Sequence, residues 1–304
     1  MVCIHCTTYN HQAFLEDALK GFVMQQTSFP FVAVVIDDCS TDNTAQILRK
    51  YETEYPEIIK AVYLKENYYS QHKPKKPFFE PFDRDATYIA LCEGDDYWTD
   101  PLKLQKQVDF LETHPDYSLC FHRVLVQSDL KIDERRFNHL EEREFSAREI
   151  YEKWTIPTCS AVYRKSSYQS HYIPHKDVPY GDIHLWLQLA EVGKVYCLDF
   201  CGGVYRRHRD GRSVKWNLQQ HLKLYRQYLY FEKRFPYLKD IARRDQNVTL
   251  EGIIYAPYFK GIWKYRFLYM LRHPKLFFSP FFTTTILSYT PLRQLKKKYR
   301  DSAK

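Results

Sequence analysis

Cys92-Glu93-Gly94-Asp95-Asp96-Tyr97-Trp98 is the stretch that decides the fold of this chain. The apolar run 88–91 before it predicts a buried strand, and Asp100 and Pro101 after it predict the start of a helix with Asp100 as its cap. Three acids within four residues at the carboxyl end of a strand are a concentrated set of oxygen ligands for Mg²⁺ or Mn²⁺. The simpler interpretation is an acidic turn that caps the next helix.

The residues before this stretch predict alternating strands and helices. Residues 2–6 and 31–36 are apolar runs typical of buried strands, and residues 58–64 predict a third strand. The first two runs are followed by Thr7-Thr8-Tyr9-Asn10 and by Asp37-Asp38-Cys39-Ser40-Thr41-Asp42, and each of these polar segments leads into apolar residues at helical spacing. This alternation indicates a parallel α/β fold, in which ligands bind at the carboxyl ends of the strands.

The residues after the acidic stretch continue the same pattern. They predict a helix at 101–114, strands at 117–126 and 158–163, an exposed charged excursion at 128–148 and a polar loop at 166–180. Gly181-Asp182 then begins a helix with an apolar face, and Gly193 is placed to end that helix in a left-handed cap.

Length and composition limit the class of protein. A chain of 304 residues allows one large domain or one domain with an appendage, and its 44% apolar and 17% aromatic residues exclude a disordered protein. No charged and apolar leader follows Met1, so we expect no cleaved signal peptide. The eight cysteines lie mostly in apolar runs, which favours free thiols in a reducing cytosol. A zinc site would require Cys3 and Cys6 to meet Cys197 and Cys201, two pairs that are far apart in the chain.

Charge divides the chain into two parts. Residues 1–204 contain 22 Lys and Arg against 31 Asp and Glu, a net charge of −9, whereas residues 205–304 contain 23 against 6, a net charge of +17. The basic last third predicts helices at 216–235 and 247–271. It also contains an uncharged stretch at 276–292, which is too short and too polar for a membrane span and predicts a surface-lying or core segment. The acidic body would repel phosphates, which argues against nucleic-acid binding.

Four motifs in this order carry a resemblance to a known family. They are Thr-Thr-Tyr-Asn after the first strand, Asp-Asp-Cys-Ser-Thr-Asp after the second, Glu-Gly-Asp-Asp-Tyr-Trp after a later one, and Gly-Asp at a helix start. Together they are similar to the family 2 glycosyltransferases of GT-A fold over roughly residues 1–215. The resemblance implies a Rossmann-like α/β/α sandwich as the catalytic domain, residues 1–215, followed by a basic, aromatic-rich helical extension at 216–304.

The resemblance implies roles for the donor-binding residues. Thr7 and Tyr9 would line the nucleotide pocket, Asp38 would accept an N–H of a uracil-like base, and Asp95 would face the ribose or the sugar. Residues 67–84, the usual donor-side stretch, match the family poorly. The basic residue that holds the diphosphate therefore stays open, with Arg206, Arg207, Arg209 and Arg212 as further candidates.

The resemblance also implies the metal and the catalytic base. Asp96 would ligate Mn²⁺ or Mg²⁺, with His208 near the diphosphate and the metal. Many members have Glu-Asp where this chain has Gly181-Asp182, so Asp182 alone would be the general base. A base and a metal-held leaving group on opposite sides of the anomeric carbon suit a single displacement with inversion. The alternatives are simple helix caps for Asp38 and Asp182 and a basic loop around His208.

The implied reaction moves a sugar from a nucleotide-sugar donor, a UDP-sugar, to a hydroxyl of a glycan or lipid-linked acceptor in cell-surface polysaccharide biosynthesis. A catalytically inactive nucleotide-sugar-binding relative is the alternative function. We expect a cytoplasmic enzyme whose basic third holds it on the anionic inner face of the cytoplasmic membrane. The alternative for that third is a helical cap packed on the catalytic domain. Neither the donor sugar nor the acceptor can be read from the sequence.

Overall fold

The computed structural model of the protein describes residues 1–128, 137–171, 175, 177–178, 180–209, 211, 217–254 and 261–274. The chain divides into two compact units. The first is Met1–Pro174 with Tyr180–Lys215, and the second is His175–Pro179 with Trp216–Lys304.

Nine strands among the described residues of the first unit form one mixed sheet. They are β1 (Val2–Thr8), β2 (Phe31–Asp37), β3 (Ile59–Tyr63), β4 (Tyr88–Leu91), β5 (Tyr97–Trp98), β6 (Tyr117–Ser128), β7 (Arg143–Glu144), β8 (Val162–Arg164) and β9 (Lys194–Arg207). The sheet order is β3-β2-β1-β4-β8-β6-β9-β5, and β7 pairs with β9. The first four strands are mutually parallel, which confirms the predicted parallel α/β core.

Seven helices accompany this sheet within the described residues. They are α1 (Leu15–Val23), α2 (Thr44–Glu54), α3 (Lys76–Asp83), α4 (Lys103–Thr113), α5 (Ala147–Lys153), α6 (Lys165–His171) and α7 (Gly181–Val192). In α1, Leu15, Ala18, Leu19 and Phe22 are completely buried, and their helical spacing gives one continuous apolar face. Strand β2 is apolar except for Asp37, and five of its seven residues are buried, as expected for a strand of a parallel sheet.

The register of the parallel strands brings three polar segments to one edge of the sheet. Thr8, the last residue of β1, pairs with Asp37, the last residue of β2, and β4 lies on the other side of β1. Two backbone hydrogen bonds continue this pairing beyond the strands. The N–H of Asp38 donates to the Thr8 carbonyl at 2.9 Å, and the N–H of Gly94 donates to the Thr7 carbonyl at 3.0 Å. The predicted ligand edge of the sheet is therefore formed.

Trp98 anchors the acidic stretch in the core. Its side chain is 2% exposed, its indole N–H donates to the Cys159 carbonyl at 2.7 Å, and its ring meets that of Phe22 edge to face. The backbone of β5 passes so close to Gly21 and Gly203 that a Cβ at either position would lie 2.9 Å from a backbone atom of β5. Two residues without side chains thus allow β5 to fit between α1 and β9.

Two local predictions were wrong. The helix after the acidic stretch begins at Lys103, two residues later than predicted, although the Asp100 carboxylate accepts the backbone N–H of Leu102 at 2.8 Å, as the predicted cap would. Gly193 has extended backbone, with φ −170°, instead of a left-handed cap. It lies so close to Ser118 that a Cβ on it would be 2.7 Å from the Ser118 nitrogen. In addition, α6 occupies the start of the stretch predicted as a polar loop.

The described part of the second unit is helical. It contains α8 (Leu218–Arg234), α9 (Lys239–Ile254) and α10 (Ile262–Arg272), and α8 begins with a capping box formed by Asn217 and Gln220. Helices α9 and α10 occupy the region where the sequence predicted one helix. The predicted surface-lying segment 276–292 lies outside the described residues. Of the helices the structure describes, none combines the length and apolar character needed to cross a bilayer.

Lys103, the first residue of α4, is a buried cation. Its side chain is completely buried, and its ammonium group has no hydrogen-bond partner among the described residues. The Nζ atom lies 3.9 Å from the centroid of the Trp98 ring, a cation–π contact that offsets part of the cost of burial. Burial lowers the pKa of Lys103 from 10.5 to about 7.

Replacing Lys103 with methionine should stabilise the protein in a pH-dependent way. Because the pKa is lower in the folded state than in the unfolded state, the cost of burying the charge is fully present below pH 7 and disappears as the pH rises towards 10.5. Lys103→Met should therefore increase the free energy of unfolding by a few kcal/mol near pH 6, and less at alkaline pH. Denaturant unfolding at several pH values measures this, with the exposed Lys20→Met as control. A Lys103→Met protein less stable than the wild type near pH 6 would contradict it.

Candidate active site

Asp95 approaches two histidines from different parts of the chain. Its Oδ2 lies 3.2 Å from Nε2 of His208, which follows β9, and 3.9 Å from Nε2 of His11, which precedes α1. One ligand atom from each of the three residues lies within 4.8 Å of the others. All three side chains are half-buried, so the cluster is shielded but reachable from solvent.

The directions of the pKa shifts at Asp95 and His11 suit a bound cation. Burial by itself would raise the pKa of Asp95, but the hydrogen bond with His208 and the neighbouring His11 bring it below its ordinary value. Burial lowers the pKa of His11. A carboxylate and unprotonated imidazoles are the forms that ligate metals. A mixed set of this kind fits a transition-metal cation such as Mn²⁺ better than Mg²⁺, which prefers oxygen ligands.

Asp96 belongs to the segment 93–96 between β4 and β5, which we call the acidic loop. Its side chain is buried, with 1% exposure. Its Oδ1 accepts the backbone N–H of Arg206 at 2.8 Å, and its Oδ2 is buried without a hydrogen-bond partner among the described residues. Burial raises the pKa of Asp96 well above its usual range, and the nearby carboxylates of Asp95 and Glu93 raise it further. The sequence assigned the cation to Asp96, and the geometry adds Asp95 as a second candidate, because Asp95 has two imidazoles beside it. Oxygens of Glu93, Asp95 and Asp96 also lie within 4.8 Å of one another, so Asp96 remains a candidate ligand.

Arg206 holds the acidic loop in place. Besides its backbone bond to Asp96, its guanidinium donates to the Asp95 carbonyl at 3.2 Å and forms an ion pair with Asp17 of α1. The guanidinium also lies 4.2 Å from the centroid of the Tyr97 ring. The sequence indicated Arg206 as a candidate phosphate ligand. In the structure, its N–H groups bond instead to Asp95 and Asp96 of the acidic loop and to Asp17. Arg206 is the second-last residue of β9, and no pattern in the sequence pointed to this role.

Asp38 organises the segment that follows β3. Its carboxylate accepts the backbone N–H groups of Tyr68 at 2.7 Å and Tyr69 at 3.1 Å, and it pairs with the ammonium of Lys75 at 2.8 Å. The side chain is 1% exposed. Both carboxylate oxygens therefore already have partners, and the proposed contact with a base would require residues 67–75 to rearrange. The ion pair between Lys75 and Asp38 was not predicted from the sequence.

The other predicted nucleotide-binding residues border the acidic loop. Thr7 is half-buried, and its carbonyl accepts the N–H of Gly94. Tyr9 is 43% exposed. Between them and the loop after β2, the Asn10 side-chain oxygen accepts the N–H of Thr41 at 2.8 Å, which joins the first two motifs. Thr7 and Tyr9 thus lie at the predicted edge, next to the loop that carries Asp95.

Asp182 lies at the beginning of α7 and has an aromatic neighbour that the sequence did not reveal. The indole N–H of Trp154 donates to Oδ2 of Asp182 at 3.3 Å, and the Trp154 ring meets that of Tyr180 edge to face. Trp154 ends α5 in the left-handed conformation, with φ 48°, which is uncommon for a bulky residue.

A short segment connects Asp182 with the acidic loop. Trp154, which contacts Asp182, lies five positions before Cys159, whose carbonyl accepts the Trp98 indole N–H. Five extended residues span at most about 18 Å, so this is the upper limit for the Cα distance from Trp154 to Cys159. The predicted base and the acidic loop therefore belong to one region of the first unit.

Comparison with known proteins agrees with this architecture. The profile described as glycosyl transferase family 2 matches residues 3–171. An uncharacterized protein of Mycobacterium tuberculosis is 37% identical over 206 residues, which cover 67% of this chain and 58% of the relative. The putative teichuronic acid biosynthesis glycosyltransferase TuaG of Bacillus subtilis is 31% identical over 220 residues, 71% of this chain and 83% of the relative. The chain thus spans little more than half the length of the mycobacterial relative.

Two solved structures share the fold. Staphylococcus aureus TarS 1–349 in complex with UDP-GlcNAc aligns with a TM-score of 0.57 and 17% identity over 96% of this chain and 77% of that chain. The mannosyltransferase PcManGT of Pyrobaculum calidifontis, in complex with GDP-Man and Mn²⁺, aligns with a TM-score of 0.53 and 15% identity over 94% and 83% of the two chains. The predicted GT-A fold is confirmed.

Gly94 should be essential for the geometry of the Asp95 cluster. A Cβ at this position would lie 2.7 Å from the Thr8 side chain and 3.2 Å from Nδ1 of His11, so the loop would have to move. Gly94→Ala should therefore weaken Mn²⁺ binding at least about tenfold in titration calorimetry. Gly181→Ala is the matched control, because a Cβ there meets nothing within 4 Å. Equal Mn²⁺ affinities in the two variants would contradict the expectation.

Proposed function

The chain belongs to glycosyl transferase family 2, and from this premise we propose that it transfers a sugar from a nucleotide-diphosphate donor to a hydroxyl of a glycan or lipid-linked acceptor. The observation that carries the proposal is the cluster of Asp95, His11 and His208 at the carboxyl edge of the sheet. A carboxylate with two imidazoles at this edge provides a site for a cation and, through it, for a diphosphate. We propose a UDP-sugar as the donor, in line with the UDP-GlcNAc bound by TarS.

We propose that Asp95 and His208 hold the divalent cation, with His11 as a third ligand. Asp96, the residue that the sequence favoured, is the alternative ligand. Its bond to the N–H of Arg206 fits a supporting role. In that role, Asp96 would keep the Asp95 carboxylate within hydrogen-bond distance of His208. A divalent cation at this site would neutralise the negative charge that develops on the departing diphosphate.

We propose that Asp182 is the general base. Its carboxylate would take the proton of the acceptor hydroxyl while that oxygen attacks the anomeric carbon and the bond to the diphosphate breaks. One such displacement inverts the configuration at the anomeric carbon. The hydrogen bond from the Trp154 indole to Oδ2 of Asp182 would help to orient the carboxylate for this step.

The alternative function is a catalytically inactive relative that binds nucleotide sugars. The presence of Asp95, Asp182 and His208 together argues against it, since an inactive protein needs neither a base nor a complete metal site. For the acceptor, the teichuronic acid name of the TuaG relative supports a cell-surface glycan.

We also propose that the enzyme works at the anionic inner face of the cytoplasmic membrane, where lipid-linked acceptors are found. The net charge of +17 on residues 205–304 supports this location, because each basic residue near an anionic leaflet adds about 1 kcal/mol of attraction.

Hydrolysis and transfer of nucleotide sugars should depend on a divalent cation. In a screen of UDP- and GDP-sugars with Mn²⁺, we expect release of the nucleoside diphosphate from a UDP-sugar, and EDTA should abolish it. Asp95→Asn should lower turnover at least about a hundredfold and weaken Mn²⁺ binding more than Asp96→Asn does. Asp85→Asn, the same change at an exposed site, is the control. If Asp96→Asn weakened Mn²⁺ binding more than Asp95→Asn, Asp96 would be the main ligand. Full activity of the wild type in EDTA would exclude a role for the metal.

Asp182→Asn should separate donor binding from transfer. The base acts on the acceptor and not on the leaving group, so UDP affinity by calorimetry should stay nearly unchanged while transfer falls at least about a hundredfold. A parallel loss of both would make Asp182 a structural helix cap. Wild-type protein that binds UDP but turns over no donor in the screen would support the inactive relative instead.

A further inference from the structure

Helix α10 exposes a stripe of large apolar side chains. Trp263 is 59% exposed, Phe267 51% and Leu271 58%. Residues four apart lie on the same face of a helix, so these three side chains form one row along α10, which we call the α10 stripe. An exposed tryptophan, phenylalanine and leucine in a single row is uncommon on a protein that keeps its surface in water.

The opposite face of α10 is already packed. Ile262, Tyr269 and Met270 are at most 8% exposed. The Arg266 guanidinium donates to the carbonyl of Ile254 in α9 at 3.2 Å, and the Tyr269 hydroxyl donates to Glu251 of α9 at 2.6 Å. The helix is therefore held in the second unit by one face, and its stripe is a second apolar face.

The charges around the stripe indicate what covers it. Helix α10 contains Lys264, Arg266 and Arg272 and no acidic residue. Arg266 is buried, Arg272 donates to Asn247 and Gln246, and Lys264 is exposed beside the stripe. The stripe also belongs to the third of the chain with a net charge of +17. A surface that offers an apolar phase beneath a layer of negative charge matches this combination.

We propose that α10 lies flat on an anionic lipid bilayer and inserts Trp263, Phe267 and Leu271 among the lipids. An 11-residue helix is about 17 Å long, roughly half of the hydrocarbon thickness, so it suits the interface and not a crossing. Tryptophan and phenylalanine at the headgroup level, with lysine directed to the phosphates, are the composition of interfacial helices. This inference deepens the membrane attachment proposed above, and it does not depend on catalysis.

Sedimentation of the full chain with vesicles tests the proposal. The probes are phosphatidylcholine vesicles with and without phosphatidylglycerol, at low and high salt. Wild-type protein should pellet with the anionic vesicles, and binding should weaken but not vanish at high salt, because salt screens the charges and leaves apolar insertion intact. The triple variant Trp263→Ser/Phe267→Ser/Leu271→Ser should bind at least about tenfold more weakly at both salt concentrations.

Matched controls separate the stripe from general effects. Leu102→Ser/Leu125→Ser removes exposed leucines of the first unit and should bind vesicles like the wild type. The triple variant should keep the wild-type melting temperature and the wild-type donor turnover without vesicles, because the stripe is exposed and its residues are not placed in the active site. If the wild type showed no donor turnover, the proposed function would be contradicted. The vesicle-binding result would still test the α10 stripe.

A fluorescence measurement shows the insertion directly. The emission of the wild type should shift to the blue on anionic vesicles and be quenched by brominated lipid, and Trp263→Phe should lose most of this response. Equal vesicle binding by the wild type and the triple variant would overturn the proposal. So would a wild type that ignores vesicles but forms dimers that the triple variant cannot form, since the stripe would then be an interface between copies of the chain.

Discussion

The hydrogen bond from the backbone N–H of Arg206 to the buried carboxyl of Asp96 is the interaction on which the active site depends. It ties the acidic loop to the end of β9, the strand that leads directly to His208. Trp98, which follows the loop, is fixed in the core because its indole N–H donates a hydrogen bond to the Cys159 carbonyl. Gly94, on the other side of Asp95, donates its backbone N–H to the Thr7 carbonyl, so Asp95 is held between two bonded neighbours at a defined distance from its histidines.

This arrangement explains why two adjacent aspartates have opposite environments. Asp95 is half-buried beside two imidazoles, and its pKa is held low, whereas burial holds the pKa of Asp96 high. Asp95 thus favours the anionic form beside two imidazoles, whereas the carboxyl of Asp96 lies in the protein interior. The buried ammonium of Lys103 beneath Trp98 adds a second ionisable group to this interior, which makes the stability of the region sensitive to pH.

The two units present side chains of different chemistry. The first concentrates carboxylates and imidazoles at a sheet edge, which suits a cation and a diphosphate. The second combines basic residues with an exposed apolar helix face, which suits the surface of an anionic bilayer. In the proposed reaction, the first unit would bind the donor, and the second would hold the protein at the surface where lipid-linked acceptors are found.

The sequence alone determined the parallel sheet and the edge at which the site forms. Apolar runs and the polar motifs after them act over a few residues, so their local pattern was sufficient, and it placed Asp38 and Asp95 at this edge. Only the tertiary structure decided which acid faces the histidines, because Asp95 and Asp96 are neighbours in the chain. Their environments differ through partners that are distant in the chain, such as His208, 113 residues from Asp95, and Arg206, 110 residues from Asp96. Contacts over such separations are made by packing, and no spacing in the sequence encodes them.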